Sequence, residues 1–300
     1  MDQDLGDVEA GSGIASNPDG AICHDAGGNV DSGYVCSRDG VRTTAGAGVL
    51  AAVICNTTTE LGLFCGGELA GTFDTTTPDS MTADEARLKV EQALYVWDAP
   101  RPCGSILASV VPSLSEVWRR ALASSCDGRV LVVGPGLKSG LRMCCDDPGE
   151  VGADRVADVV AARRDYGSPV VAVDLGTTST FEVVDAGGSY AGGIIAPGLA
   201  LGAHSLSAAA ARLPEIELRA PVKAIGRNTR SAMQSGVVLG EVARIDGLLD
   251  AIMDELGEEA DVVLTGTHAD SLAPLLHHRV QVDSTLTLRG LFYIWERNSR

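Results

Sequence analysis

A duplicated α/β fold with two lobes is predicted by three features of the 300-residue chain. Strand-length apolar runs alternate with helix-period stretches, three strands open each half before its first helix, and a Gly-Gly turn joins the second and third strands in both halves. At 45% apolar residues the chain can bury a core in each of two domains of roughly 150 residues.

The elements of the first half read in order. AAVIC is a continuous apolar run behind Gly48, TELGLFC follows it, and Gly66-Gly67 turns the chain into ELAGTF, because both positions tolerate positive φ. Amphipathic spacing predicts a helix over 83–97 and another over 113–124, separated by a strand at 105–111. A short strand, RVLVVG, ends in the loop GPGLKSG at 134–140.

The second half repeats the plan with PVVAVDLG, STFEVVDA and SYAGGIIAPG. Helices are expected at 199–212 and 230–256, then strand DVVLTG, a helix after Ala269, strand RVQVD and a last helix over 286–297. Two βββαβα copies are the layout of a two-lobed, actin-like (ribonuclease H-like) ATPase fold, with nucleotide in the cleft. The corresponding lobes are residues 49–163 and 164–300.

Residues 1–48 have a different character, with eight acidic and two basic side chains, many small polar residues and few large aliphatics. Such a composition does not offset the entropy of ordering, so a disordered tail is expected there, or sequence upstream of the natural start.

Charge narrows the function. Forty acidic against 23 basic residues give a net charge of -17, and no basic cluster could neutralise a run of phosphates, which excludes a nucleic-acid partner. No apolar run reaches the roughly 18 residues that span a bilayer, and the N-terminus is acidic where a secretory signal is basic. A cytoplasmic protein without a membrane partner is expected.

Eight cysteines form no CxxC pair and match no histidine spacing, so free, mostly buried thiols are expected rather than a thiolate metal site. His268, His277 and His278 lack ligand spacing and read as surface or loop histidines. GPGLKSG does not have the Walker A order, and neither GxSxG nor HExxH occurs.

Candidate chemistry gathers in GADR, at 152–155, and VDLGTTSTFEVVD, at 173–185. Asp154 suits either a general base or a carboxylate that stabilises the first turn of a helix. Arg155 suits a substrate clamp or a structural ion pair. Asp174, closing a strand ahead of Gly176, suits a cation at the mouth of a cleft or an Asx-type turn. Asn228-Thr229 reads as a helix N-cap.

From Gly48 to Asn298 the chain resembles type III pantothenate kinases. The resemblance rests on SVVP at 109–112, GPGLKSG, EVGADR at 150–155, DLGTTSTFEVVD, GGIIAPGL at 192–199, IGRNTRSAMQSG at 225–236, LTG at 264–266 and LTLRGL at 286–291, in that order. It implies transfer of the ATP γ-phosphoryl group to the primary alcohol of pantothenate, the first step of coenzyme A biosynthesis. By the same resemblance Asp154 is the catalytic base, Asn56, Thr57, Thr58, Thr59 and Thr177 bind ATP, and Gly152, Ala153, Arg155 and Thr229 bind pantothenate. Asp174 would hold a monovalent cation, K+ or NH4+, beside Mg2+ and ATP. Family active sites lie against a dimer interface, which implies a homodimer or a heteromer with a paralogous subunit.

The chain departs from the family pattern in three places. The first phosphate loop, DxGNT in the family, reads Val53, Ile54, Cys55, Asn56, Thr57, so a carboxylate has become valine and a glycine has become cysteine. Cys145 stands where the family has tyrosine ahead of GADR, and Thr267 replaces the last glycine of TGG. Electrostatic groups in phosphoryl transfer are commonly worth about 10³ in rate, so weak or absent turnover of the isolated chain is expected. The alternative function is that of a catalytically impaired partner subunit.

Overall fold

The computed structural model describes residues 48–210 and 212–299, with a two-residue ladder formed by β1 (Cys36–Ser37) and β2 (Gly40–Val41). The tail expected over residues 1–48 lies outside the described residues, apart from this ladder and Gly48.

The first lobe's sheet is built from β3 (Gly48–Ile54), β4 (Thr58–Cys65), β5 (Glu68–Thr76), β6 (Gly104–Ser109) and β7 (Val130–Val132), in spatial order β5-β4-β3-β6-β7. The second comprises β8 (Val170–Leu175), β9 (Thr178–Val184), β10 (Tyr190–Pro197), β11 (Asp261–Thr265) and β12 (Gln281–Val282), in order β10-β9-β8-β11-β12. Both sheets therefore have the order 3-2-1-4-5, with two antiparallel ladders followed by two parallel ones. The duplication expected from the sequence is present down to strand order. This is the two-lobed, actin-like arrangement.

Burial explains why β3 is apolar at every position. Leu50, Ala52 and Ile54 face α1 (Ala83–Val96) and α2 (Pro112–Ser125), meeting Val90, Trp118 and Leu122. Val49, Ala51 and Val53 face the opposite way, into a core shared with Leu291, Ile294 and Trp295. A strand covered on both faces has no solvent side on which to place polar residues. Helix α1 starts at Thr82, whose hydroxyl accepts from Glu85 N at 3.2 Å while the Glu85 carboxylate accepts from Thr82 N at 2.7 Å. That capping box contributes about 1 kcal/mol. Gly66 and Gly67 turn the β4–β5 hairpin with φ of 61° and 95°.

Each copy ends in one further helix, α3 (Ala153–Tyr166) in the first and, after several intervening helices, α8 (Leu286–Asn298) in the second. The closing helices pack on each other and reach across: α3 lies on β8 and β9 of the second sheet, and α8 lies on β3, β4 and β6 of the first. Their approach is close enough that a side chain at Gly290 would collide with the backbone of Ala157.

Two expected helices differ from the sequence reading. The one expected over 199–212 is α4 (Leu199–Ala209), and the one over 230–256 is divided into α5 (Thr229–Gln234), a π-helical turn (Ser235–Leu239) and α6 (Gly240–Leu256). Gly236 and Gly240 bring low helix propensity to that junction, where the wider turn is accommodated. After β11 the chain forms the short α7 (Ala269–Leu272). The edge strand expected from RVQVD shrinks to the two residues of β12.

The described thiols are less buried than expected. Cys126 is buried, Cys55 and Cys145 are half-buried, and Cys103 and Cys144 are exposed, none of them in a disulfide. No helix among the described residues is long and apolar enough to cross a membrane.

Candidate active site between the lobes

Equivalent turns of the two copies face each other. The β3–β4 turn is closed by Cys55 N donating to Thr58 O at 2.9 Å, and the β8–β9 turn by Gly176 N donating to Thr178 O at 3.1 Å. Across the gap, Thr57 Oγ1 and Thr177 Oγ1 lie 3.1 Å apart. Asn56 and Thr57 are exposed and Thr58 is half-buried. Thr59 is not brought to this gap; it is buried and its hydroxyl bonds Thr77 Oγ1 at 2.8 Å.

Beside the turns is a cavity of about 300 Å³. The first lobe contributes Val53, Cys55, Glu60 and Asp74, α3 contributes Asp154, and the second lobe contributes Asp174, Gly266, Thr267 and Asp270. Neither lysine nor arginine lines it.

Asp154 sits in the first turn of α3, behind the N-cap residue Gly152, and its Oδ1 accepts from Arg155 N at 2.8 Å. A Cβ at position 152 would come within 2.5 Å of Asp154 Oδ1, so a side chain there would require that carboxylate to move. Burial raises the Asp154 pKa, against the lowering effect of those backbone bonds. Asp174, at the end of β8, is raised by burial and then by the charges of Asp154, Glu60 and Glu182. Asp158, one helical turn beyond Asp154, is buried; Thr287 Oγ1 donates to it at 2.6 Å. Burial and Asp174 hold its carboxyl well above the usual range. The Glu60 carboxyl is pushed up to about 7 by burial and by Asp74.

Among the positions expected to contact substrate, Arg155 is engaged in an ion pair. Its Nε donates to Glu182 Oε1 at 2.5 Å, and its Nη2 donates to Glu182 Oε2 and to Tyr190 Oη, both at 3.0 Å. Tyr190 in turn donates to Glu182 Oε2 at 2.7 Å, so the fully buried Glu182 is satisfied. Ala153 borders a second cavity, of about 400 Å³, with Ser109, Met143, Val151 and the loop residues Gly134 to Leu137. Thr229 is the first residue of α5 and is exposed; the cap is Asn228, whose Oδ1 accepts from Ser231 N at 2.9 Å. It lines neither cavity.

The altered positions fall in or near the same place. Val53, Cys55 and Thr267 line the 300 Å³ cavity, whereas Cys145 packs in the core cluster that holds Tyr190. Cys55 has an ordinary negative φ, so cysteine brings no backbone strain to the position. Burial, followed by Asp154 and Asp174, raises its thiol pKa far above the usual value, so it stays protonated.

Glu60, Asp74, Asp158 and Glu182 were not foreseen from the sequence. The available signal was charge at inward-facing strand and helix positions, as in the apolar run around Glu60. The histidines hold a second surprise. Although they lack ligand spacing in the sequence, Asp246 of α6 comes within 3.0 Å of His277 Nδ1, and Asp250 within 2.9 Å of His278 Nε2. Potential ligand atoms of Asp246, His277 and His278 all lie within 4.8 Å of one another, outside the inter-lobe cavity.

A cation at the inter-lobe cavity would meet carboxylate and hydroxyl oxygens, a donor set suited to Mg2+ or another hard cation. Two copies of a 3-2-1-4-5 sheet, with hydroxyl-bearing turns opposed across an acidic cleft, define the actin-like ATPase fold. Among solved structures, a Baf family protein from Campylobacter jejuni matches at 20% identity and a TM-score of 0.53, over 83% of this chain and 98% of that one. The ethanolamine utilization protein EutJ from Carboxydothermus hydrogenoformans matches at 13% identity and 0.52, over 86% and 93%. At these identities the likeness is one of fold.

Sequence comparison is more specific. Residues 49–251 match the family model of type III pantothenate kinase. The type III pantothenate kinase of Moorella thermoacetica is 38% identical over 253 residues, 84% of this chain and 100% of that protein. That of Thermomicrobium roseum is 40% identical over 247 residues, 82% and 95% respectively. The chain belongs to the type III pantothenate kinase family.

Proposed function

We propose that the chain is a working kinase that phosphorylates pantothenate from ATP at the inter-lobe cavity. The observation that carries this reading is the convergence of Asp154 and Asp174 on one cavity beside the opposed Thr57 and Thr177 turns. Asp154 takes the proton of the pantothenate primary alcohol as its oxygen bonds to the γ-phosphorus; the bond from that phosphorus to the bridging oxygen breaks and ADP leaves. The buried surroundings of Asp154 raise its proton affinity, which suits a base. Asn56, Thr57, Thr58 and Thr177 offer amide and hydroxyl groups to the phosphates. Arg155, held by Glu182, would orient substrate through Nη1, which has no partner among the described residues. Gly152 and Ala153 would contribute to the substrate wall from the side of the neighbouring cavity of about 400 Å³, which Ala153 borders, and Thr229 would form a more distant part.

Asp174, with neighbouring oxygens, would hold cations: Mg2+ with the nucleotide, and K+ or NH4+. A divalent cation supplies charge neutralisation on the β- and γ-phosphates.

A dimer is part of this reading. Helix α4 buries only Leu199, while Leu201 and Leu206 are 40% and 41% exposed. Val222 and Ile225, in the following segment, are 100% and 85% exposed. Exposed apolar side chains in this number favour a protein partner, with a second copy of the chain as the simplest one.

ADP release by the purified protein, with pantothenate, ATP and Mg2+ and with K+, NH4+ or neither, tests the reading. Pantothenate-dependent turnover that rises with the monovalent cation is expected. A folded protein that binds nucleotide but does not turn over would instead favour the role of a partner subunit.

A further inference from the structure

Val53 and Glu60 are direct partners in the β3–β4 ladder, and Glu60 is in turn the direct partner of Asp74 in the β4–β5 ladder. Direct partners across a ladder project from the same face, with Cβ atoms about 5 Å apart. The three side chains therefore form a row, and all three line the inter-lobe cavity. The carboxylate missing from the first phosphate turn thus reappears one strand over, on the same face and facing the same space.

The rest of β4 shows that this charge is out of character for its position. Gly62 and Phe64 share its face, and neither is charged. Neither the Glu60 nor the Asp74 carboxylate makes a hydrogen bond or ion pair with a described residue, and no basic side chain lines the cavity. A half-buried carboxylate without a partner is costly to the fold, and a bound cation removes that cost. Glutamate also has one more methylene than aspartate, which helps span the lateral offset from β4 to the space in front of Val53.

We propose that Glu60 supplies, from β4, the cation-binding carboxylate that position 53 lacks, facing Asp174 across the cleft, with Asp74 next to it. The inference rests on the kinase reading above and assigns to that site a ligand residue that the family motif does not include.

The test is binding of Mn2+ to the full chain in the presence of a nonhydrolysable ATP analogue, followed by electron paramagnetic resonance. Glu60→Gln should weaken Mn2+ binding about tenfold or more with the melting temperature kept or raised. Moving the charge back, in the double variant Val53→Asp/Glu60→Val, should recover affinity to within about threefold of the unmodified chain. Unchanged Mn2+ affinity in Glu60→Gln, with affinity lost in Asp174→Asn, would overturn the proposal and leave the kinase reading standing. Failure of the unmodified chain to bind either Mn2+ or the analogue would overturn both.

Discussion

The hydroxyls of Thr57 and Thr177 lie 3.1 Å apart although the residues belong to different lobes. Each sits in the first turn of its own copy, so the contact joins equivalent points of a duplicated fold. A nucleotide phosphate entering there would exchange the hydroxyl–hydroxyl bond for bonds to itself. Replacing either threonine with valine should weaken binding of an ATP analogue about three- to tenfold by calorimetry, since a net hydrogen bond contributes roughly 1 kcal/mol. Because the two groups touch, the double variant should lose less than the sum of the single losses.

Asp154→Asn should lower kcat by about 10² to 10⁴ while leaving analogue affinity within a fewfold, as expected for loss of a general base. The buried carboxyl has its pKa raised above the ordinary value of about 4. The base must be ionised to act. Activity of the unmodified chain should therefore rise with pH through a limb above that ordinary value, and this limb should be absent from the variant's profile of kcat/KM.

Arg289 of α8 ties three elements together. It pairs with the buried Asp283 and, at 2.9 Å, with Asp165, while Tyr166 donates to Asp283 at 2.8 Å. Arg289→Met leaves Asp283 without its cation and should cost about 3 kcal/mol in chemical denaturation. Burial raises the Asp283 pKa, but the bonds from Tyr166 and Arg289 outweigh it and hold the folded value below the usual one. The stability from this pairing is thus present at neutral pH and disappears as the pH falls through that depressed value. The variant should lose less stability than the unmodified chain over the same acid range.

Cys55 lines the candidate active site, yet its thiol is kept protonated by burial and by neighbouring carboxylates. Alkylation needs the thiolate. With iodoacetamide at pH 8, peptide mapping should find the exposed Cys103 and Cys144 modified first, and Cys55 and the buried Cys126 much later.

If α4 forms an interface between copies, Leu206→Glu should convert a dimer to a monomer in light scattering without a fall in melting temperature large enough to indicate unfolding. A variant that stays dimeric would move the interface elsewhere.

Much of the architecture was legible because apolar periodicity and glycine turns are local signals. The strands of both sheets, α1, α2 and α8 follow directly from them, and the Gly66-Gly67 turn follows from backbone chemistry. The π-helical turn at Ser235–Leu239 was not legible, since its spacing still resembles that of a long helix. In the site, Asp154 and Asp174 stood out through motifs, whereas Glu60 did not, because its meaning depends on which residue of β3 it opposes. Register is a pairwise property, and it becomes visible only when both strands are in place. Arg155 illustrates the opposite difficulty: the sequence left both a clamp and an ion pair open, and the partner Glu182 lies 27 positions further on.

The crosswise arrangement of α3 and α8 has a consequence for how the chain is made. The first sheet's strands are all synthesised early, but one of its faces stays only partly covered, by Ala157 and Val160, until Leu288, Leu291, Ile294 and Trp295 arrive after every strand of the second sheet. The N-terminal half would therefore wait, greasy and incomplete, until the residues of α8 have left the ribosome. A fragment that stops short of Leu286 should be sticky and degraded rather than an independent half-molecule.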